Sequence, residues 1–425
     1  MLDLRLIRSD TDSVRTALAR RQADGPLDEL LARDERRRLL QTQVDELRAE
    51  RNRASQAIGE AKRAGRDAAD EQARAAGLGE RLDALNAELL AAAAQVDEIL
   101  PTLPNLPHPS AADGMTEEDG VTVAIGGVKP EFEFEPRDHL ALAGPLIDTE
   151  RAARTSGSRF AYLHGDLVRL HFALVQYSLA KLSARGFLPT MPPVLVREQA
   201  LYGTGFFPSD REQVYALDPA RDDLFLVGTS EVSLAALHMG EILDEDALPL
   251  RYVGVSSCFR REAGAAGRDT RGIFRTHQFD KVEMFSFCHP DRSWDEHELI
   301  LSLEREIADE LGLHYRVVNI PVGELGDSAA KKYDIEAWLP GQGRFRELTS
   351  CSNTTDYQAR RLECRMRTER GTRVLHTLNG TAVTSSRTLI AILETHQRAD
   401  GSVAVPAVLH PFGAPETVGP PPDLA

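Results

Sequence analysis

CFRREAGAAGRDTRGIFRTHQF, residues 258–279, gathers Arg260, Arg261, Arg268, Arg271 and Arg275 among glycines and ends on an aromatic residue. The chain around it is acidic, with 50 Lys+Arg against 66 Asp+Glu and a net charge of −16. Read as a strand, SSCFRRE alternates with period two and puts Arg260 and Glu262 on one face. Read as its antiparallel partner, THQFDKVEMF puts His277, Phe279, Lys281 and Glu283 on one face, and EAGAAGRDTRGI becomes a long Gly/Arg loop. Such a face offers a guanidinium, two carboxylates and an aromatic plate. That set suits a ligand carrying a phosphate or carboxylate, an ammonium or metal, and a flat ring, because the planar fork of Arg donates to phosphate in a bidentate way. A charged hairpin facing solvent is the competing reading.

The segments beyond it fit an antiparallel sheet. YVGVSSCF, HQFDKVEMFSFC, HYRVVNI, DIEAWL and RFRELTS read as strands. Leu163, Leu167, Leu170, Leu174 and Tyr177 fall on one face of a helix that stops near Arg185-Gly186, and EHELILSLEREIADELG and RTLIAILETHQ read as further helices. The connections are long and irregular rather than βα units, so the fold class is α+β. No GxGxxG follows a strand and no GxxxxGK[ST] occurs, which excludes Rossmann and P-loop modes of nucleotide binding.

The first hundred residues differ. A short helix over Thr11–Arg20 precedes a turn at RQADGP. Leu40, Val44, Leu47, Ala54 and Ile58 then repeat at near-heptad spacing, Gly65 interrupts, and Leu78, Leu82, Leu85, Leu89, Ala92, Val96 and Ile99 alternate four and three. Two heptad helices with a break between them predict an antiparallel coiled-coil hairpin with arms of about 45 Å. Arg33, Arg36, Arg37, Arg38, Arg48, Arg51, Arg53, Lys62, Arg63 and Arg66 crowd its first arm and tip, as a solvated face or a nucleic-acid finger. PTLPNLPHPS ends the coil, since four prolines in ten residues cannot continue a helix. The domain boundary is expected there, giving domains 1–110 and 111–425, with a linker through about residue 125.

At 425 residues and 42% hydrophobic content, two domains with a sizeable core are expected. MLDLRLIRSD does not read as a signal peptide, and no run approaches the roughly 18 apolar residues of a membrane span. Cys258, Cys288, Cys351 and Cys364 form no CxxC pair, which predicts reduced thiols in a cytoplasmic protein. The net charge argues against a protein that coats nucleic acid, although local basic patches remain open to it.

FRRE followed by a loop and HQFDKVE resembles motif 2 of class II aminoacyl-tRNA synthetases in its seryl version. GTSE (228–231) resembles the serine-binding signature, RELTSCSN (346–353) the segment contacting ATP and serine, and HTLNG (376–380) with Arg387 resembles motif 3. The helix before Pro192-Pro193 resembles motif 1, and the heptad hairpin resembles the tRNA-binding arm of bacterial members. The resemblance spans nearly the whole chain. It implies a homodimer of a class II catalytic domain with a coiled-coil arm, acting on ATP with Mg²⁺, L-serine and tRNA(Ser), and on tRNA(Sec) as well. It implies that Arg260 holds the α-phosphate, Phe279 the adenine ring, Glu262 the base amino group and Arg387 the γ-phosphate, with Arg260, Glu262 and Arg387 as catalytic groups. Arg261, Thr276, Leu348 and Thr349 complete the implied ATP site, and Glu347 with Ser350 holds Mg²⁺. Thr229, Ser230, Glu231, Arg260, Glu283, Asn353 and Thr381 are the implied serine contacts. Arg48, Arg51, Arg63, Arg268 and Arg271 are the implied tRNA contacts, with Arg275 in the same loop. His238, His277 and His376 read as structural, because adenylyl transfer needs positioning and charge stabilisation rather than a nucleophile.

The sequence departs from the family at Ala382 and Ser386 in motif 3, and at Gly120, Ser233 and Glu324. These departures raise the rival reading of an inhibitor-tolerant second copy. An amino acid:carrier-protein ligase is a second rival, but such relatives lack the arm. A non-catalytic paralogue is a third, against which the joint presence of Arg260, Glu262, Glu347 and Arg387 argues. The tail PFGAPETVGPPPDLA reads as poorly ordered.

Overall fold

The structure, a computed structural model of the chain, describes residues 1–218, 221–264, 269 and 271–419. They fall into two compact units, Leu2–Pro104 and the residues from Asn105 onward. Arg268 and residues 420–425 of the tail lie outside the described residues.

In the first unit, α1 (Leu4–Ser9) and α2 (Thr11–Arg20) begin on the carboxylates of Asp3 and Asp10, which accept from the backbone N–H of Arg5 and Ser13. The heptad segments form α3 (Leu27–Arg63) and α4 (Ala69–Ile99), lengths that correspond to about 55 and 46 Å. The first arm is longer than the expected 45 Å because α3 starts directly after Pro26, ahead of the heptad register. Asp28 and Glu29 in its first turn and Lys62 and Arg63 in its last complement the helix dipole. Gly65, at φ 69°, turns the chain back. Val44, Leu47, Leu78 and Leu82 form the dry part of the seam, with Ala54, Leu85 and Leu89 packed beside it. Arg33 donates to Gln95 (3.0 Å) and Arg36 to Glu88 (3.0 Å), which fixes the antiparallel register. Some of the crowded arginines serve the unit itself. Asp34 is fully buried, with Arg37 at 2.7 Å, Arg38 at 3.2 Å and Arg8 at 3.5 Å.

The second unit is built on an eight-stranded sheet: β1 (Val121–Gly126), β2 (Leu188–Thr190), β3 (Leu250–Phe259), β4 (Gln278–Cys288), β5 (Tyr315–Asn319), β6 (Lys331–Leu339), β7 (Arg344–Asn353) and β8 (His376–Thr384), in the order β1-β5-β6-β7-β8-β4-β3-β2. Every pairing is antiparallel except β2 with β3. Three helices pack on it: α5 (Asp166–Ser183), α6 (Ser293–Glu310) and α7 (Arg387–Thr395). The core joins Leu167, Leu170, Leu174 and Tyr177 of α5, Ile300, Leu303 and Ile307 of α6, and the wholly buried apolar residues of α7. The α+β reading of the sequence therefore holds.

Four local expectations differ. Residues 121–126, placed in a linker, form edge strand β1; Val121, Val123 and Ile125 point to solvent there, so no core-facing period marked the strand. Leu163 precedes α5 in the two-residue strand Tyr162–Leu163. β3 stops at Phe259 and does not run through Arg260 and Glu262. Thr417–Val418 of the tail pairs with Val403–Ala404. The four cysteines are free and buried, as expected. Among the described residues, no helix is long and apolar enough to cross a membrane.

Candidate active site

β3 and β4 are joined in register from Leu250↔Phe287 to Phe259↔Gln278. Past the strand ends, Arg260 N donates to the His277 carbonyl (2.9 Å), and His277 Nδ1 lies 2.9 Å from the Arg260 carbonyl. Gln213 then clamps the departing chain: its carbonyl accepts from Arg261 N (2.9 Å), and its side-chain amide exchanges two hydrogen bonds with Ala263. Glu262 takes a left-handed conformation at φ 51°, uncommon for a residue with a side chain. Strand alternation therefore does not set its direction. Even so, Glu262 reaches the same space as Arg260, and its carboxylate meets Arg275 at 2.5 Å.

The residues that follow β3, together with β4, β7, β8 and the start of α7, bound an open cleft. Of the residues implicated from sequence, Arg260, Glu262, Thr276, Phe279, Glu347, Leu348, Thr349, Ser350, Thr381 and Arg387 line it. A register shift between Ile335 and Glu336, opposite Leu348, lets consecutive residues of β7 reach the cleft. Arg387 meets Glu347 at 2.8 Å, and the Arg260 guanidinium stands 5.3 Å from the Phe279 ring centre.

Thr229, Ser230, Glu231 and Glu283 do not line the cleft but form a buried group reached through Thr381 and Lys281. Lys281 Nζ lies 2.6 Å from Glu283, the Thr381 hydroxyl donates to Glu283 (3.3 Å), and Asn379 donates to Glu231 (2.6 Å). Gln358 donates to Glu231 (2.7 Å). The Gln358 carbonyl accepts from the hydroxyls of Thr354 and Thr377, which fixes the orientation of its amide.

Other assigned residues stand apart. Asn353 is fully buried, donating to the Ser293 carbonyl (3.1 Å) and accepting from Thr355 N (2.9 Å). The Arg261 guanidinium lies 5.7 Å from the Tyr215 ring centre, outside the cleft lining. Arg271 is exposed beside the loop, Arg48 and Arg63 are exposed and Arg51 half-buried on α3, and Arg268 lies outside the described residues. Arg275, grouped with the loop from sequence, belongs to the cleft, because it sits four residues before Phe279 and pairs with Glu262. Phe274, Lys281, Thr384 and Ser386 also line the cleft without having been assigned. Arg346 stacks on Phe274 at 3.7 Å and Arg387 lies 5.0 Å from the same ring. The sequence signal for Lys281 was its alternation with Phe279 and Glu283; Phe274 had none. His238 contacts Glu241 and Tyr252, and His376 contacts Ser293. His277 lies against the Arg260 carbonyl, so each of the three histidines has a protein partner.

Burial and then the neighbouring Glu283 push the Glu231 carboxyl up to about 7. Burial opposes ionisation of Glu347 too, but Arg387 and Lys332 outweigh it and hold that carboxyl well below the usual range.

An antiparallel sheet whose central strands carry an Arg/Phe/Glu cleft, closed by a helix that begins with an arginine, defines the class II aminoacyl-tRNA synthetase core. Residues 213–396 match the family model "tRNA synthetase class II core domain (G, H, P, S and T)", and residues 1–107 match "Seryl-tRNA synthetase N-terminal domain". The serine–tRNA ligase of Streptomyces coelicolor is 51% identical over 97% of this chain and 97% of its own length. That of Nocardia farcinica is 48% identical over 99% and 100%. Among solved structures, seryl-tRNA synthetase of Pyrococcus horikoshii complexed with ATP superposes with a TM-score of 0.94 at 40% identity, covering 99% of this chain and all of that one. A prolyl-tRNA synthetase from Giardia lamblia, at 14% identity and a TM-score of 0.55, shares the fold over 64% of this chain and 54% of its own. The chain belongs to the seryl-tRNA synthetase family.

Proposed function

We propose that the protein activates L-serine with ATP and transfers it to the 3′ end of tRNA(Ser), and of tRNA(Sec). The observation that carries this reading is the continuity of the cleft with the buried carboxylate group. A phosphate-binding wall (Arg260, Arg275, Arg387) and an aromatic plate (Phe279) lead directly to Thr381, Glu283 and Glu231. Two relatives are named for serine–tRNA ligation, and a solved relative holds ATP.

In the first step a serine carboxylate oxygen attacks the α-phosphorus of ATP. The new P–O bond forms as the bond to pyrophosphate breaks, and Arg260 stabilises the charge on the α-phosphate. Phe279 holds the adenine ring and Glu262 its amino group, while Arg275 and Arg387 receive the outer phosphates. In the second step a hydroxyl of the tRNA 3′ ribose attacks the mixed-anhydride carbonyl and AMP leaves. Glu347 and Ser350 offer hard oxygen ligands where Mg²⁺ with ATP requires them: the Glu347 side chain is 45% exposed into the open cleft, and Ser350 lines the same wall. When bound, Mg²⁺ neutralises phosphate charge.

Glu231, with no ammonium partner among the described residues, receives the serine ammonium, and Glu283 with Thr381 receives its hydroxyl. Alanine would leave those buried groups unpaired and is rejected for that reason. Residues 1–110 supply the tRNA-binding arm and residues 111–425 the adenylate-forming, dimerising domain of a cytoplasmic homodimer. Exposed Phe172 of α5, Leu188 of edge strand β2 and Met191 support that dimer face, with 59%, 60% and 87% of their surface accessible. A narrower reading, an inhibitor-tolerant second copy, is favoured by Ser386 in the ATP wall; ordinary sensitivity to seryl-adenylate analogues would remove it. Pyrophosphate exchange and aminoacylation of total tRNA with each amino acid test the whole reading. Serine-dependent exchange followed by charging is expected, and exchange without charging would indicate the carrier-protein ligase.

A further inference from the structure

β7 and β8 pair only across Cys351↔Gly380, Ser352↔Asn379 and Asn353↔Leu378. Beyond Cys351 and Gly380 the ladder between them ends, and Thr349, Ser350 and Thr381 at that fork line the cleft. A fork in a sheet leaves backbone and side-chain donors without ladder partners, and burial makes such orphans costly. Glu304 of α6 sits at the fork from the helix side, with only 2% of its surface exposed. Its Oε2 accepts from the Thr349 hydroxyl at 2.9 Å, and the backbone of Thr381 is near enough to favour its ionised form. Its Oε1 is buried without a hydrogen-bond partner and faces Gly380, where an added Cβ would come within 2.8 Å of it. The family resemblance gave this residue no role.

From this placement we propose that Glu304 is a positioning residue for the amino-acid half of the cleft: its carboxyl fills the fork and holds Thr349 and Thr381 at the spacing serine requires. The inference rests on the serine-activating reading above. Thr381 is the link, because it follows Gly380, which Glu304 Oε1 faces, and directs its hydroxyl at Glu283. The charged and titratable groups facing Glu304 are Glu283 from β4, Asp334 from β6 and the Cys351 thiol from β7, and no ion pair reaches it among the described residues. Burial first, and then those carboxylates, raise its carboxyl well above the ordinary range, which favours its uncharged form. A neutral carboxyl has an uncharged isostere in Gln, and that makes the inference testable.

Serine-dependent pyrophosphate exchange of the full-length chain reads it. Exchange by the parent chain decides the functional reading, and the variants decide this one. Glu304→Ala is expected to raise the serine KM about tenfold and the ATP KM by no more than about threefold through Thr349, because the Thr381 side of the fork loses its support while Arg260, Phe279 and Arg387 do not touch it. Glu304→Gln is expected to recover most of the loss, and Thr349→Val to raise the serine KM about fivefold. Equal rises in both KM values, or a serine KM left unchanged by Glu304→Ala, would overturn the proposal. So would a Glu304→Gln chain as impaired as Glu304→Ala, since it would show that an ionised carboxylate is needed. Should Glu304→Ala fail to fold, an unchanged serine KM in Thr349→Val overturns it equally.

Discussion

Glu231 and Glu283 belong to one buried group joined by Asn379, yet Glu283 has Lys281 at 2.6 Å while Glu231 accepts from the neutral amides of Gln358 and Asn379. With its carboxyl raised to about 7, Glu231 titrates near neutrality in the free protein. With Glu231 as the proposed acceptor of the serine ammonium, only its ionised form binds and protons compete with serine. The serine KM is expected to be flat above about pH 7.5 and to climb toward tenfold per unit below about pH 6.5. Pyrophosphate exchange at saturating ATP measures this, and Glu231→Gln should weaken serine binding and remove the pH dependence together. Gly380 offers a second test at the same scale. A Cβ there would meet Ile300 Cγ2 at 2.3 Å and Glu304 at 2.8 Å. Gly380→Ala should cost about 1–3 kcal/mol by overpacking, seen as a fall of several degrees in Tm. Arg260 and Phe279, legible as single residues in the sequence, line the cleft. Arg275 was assigned to the wrong neighbourhood because only the turn after Gly272 and the Glu262 pair bring it back into the cleft.

Elements were legible wherever their period was regular. The heptads gave α3 and α4, and the alternation of HQFDKVEMF gave the cleft face of β4. What stayed hidden were interruptions of period: the register shifts opposite Leu348 and at Val282/Glu283, the fork between β7 and β8, and the left-handed turn at Glu262. Each depends on which strand lies alongside, and one chain's periodicity carries no record of its neighbour. The arm shows a related effect. Arg8, Arg37 and Arg38 surround buried Asp34, and Arg36 holds Glu88, so basic residues near the base are committed internally. Residues 48–66 carry Arg48, Arg51, Arg53, Lys62, Arg63 and Arg66 against Glu50 and Glu60 alone, which concentrates positive potential toward the tip. The KM for tRNA should therefore rise with salt, and Arg51→Ala and Arg63→Ala should each reduce the slope of log KM against log salt by about 1. Charging assays at about 50 and 200 mM salt measure it. Slopes unchanged in both variants would assign the tRNA contacts elsewhere.

At the scale of the molecule, charge is divided unevenly between the two units. Residues 1–104 contain 17 basic and 20 acidic side chains, and residues 105–425 contain 33 and 46. Most of the net charge of −16 therefore lies on the unit that holds the cleft, which repels a polyanionic substrate beyond the immediate reach of its arginines. The cleft itself takes no residue from Leu2–Pro104. Adenylate formation and tRNA capture thus make separable demands on the chain. A protein lacking residues 2–104 should retain serine-dependent pyrophosphate exchange with serine and ATP KM values within about threefold of the parent, since every small-molecule contact remains. Its kcat/KM for tRNA should fall by about two orders of magnitude or more if, as proposed, the first unit is the tRNA-binding arm. Lowering the salt should restore little of that activity, as the remaining surface is acidic. Loss of exchange in a truncated chain that keeps a cooperative thermal transition would mean that the first unit shapes the cleft, and retained charging would mean that tRNA is captured by the acidic unit after all.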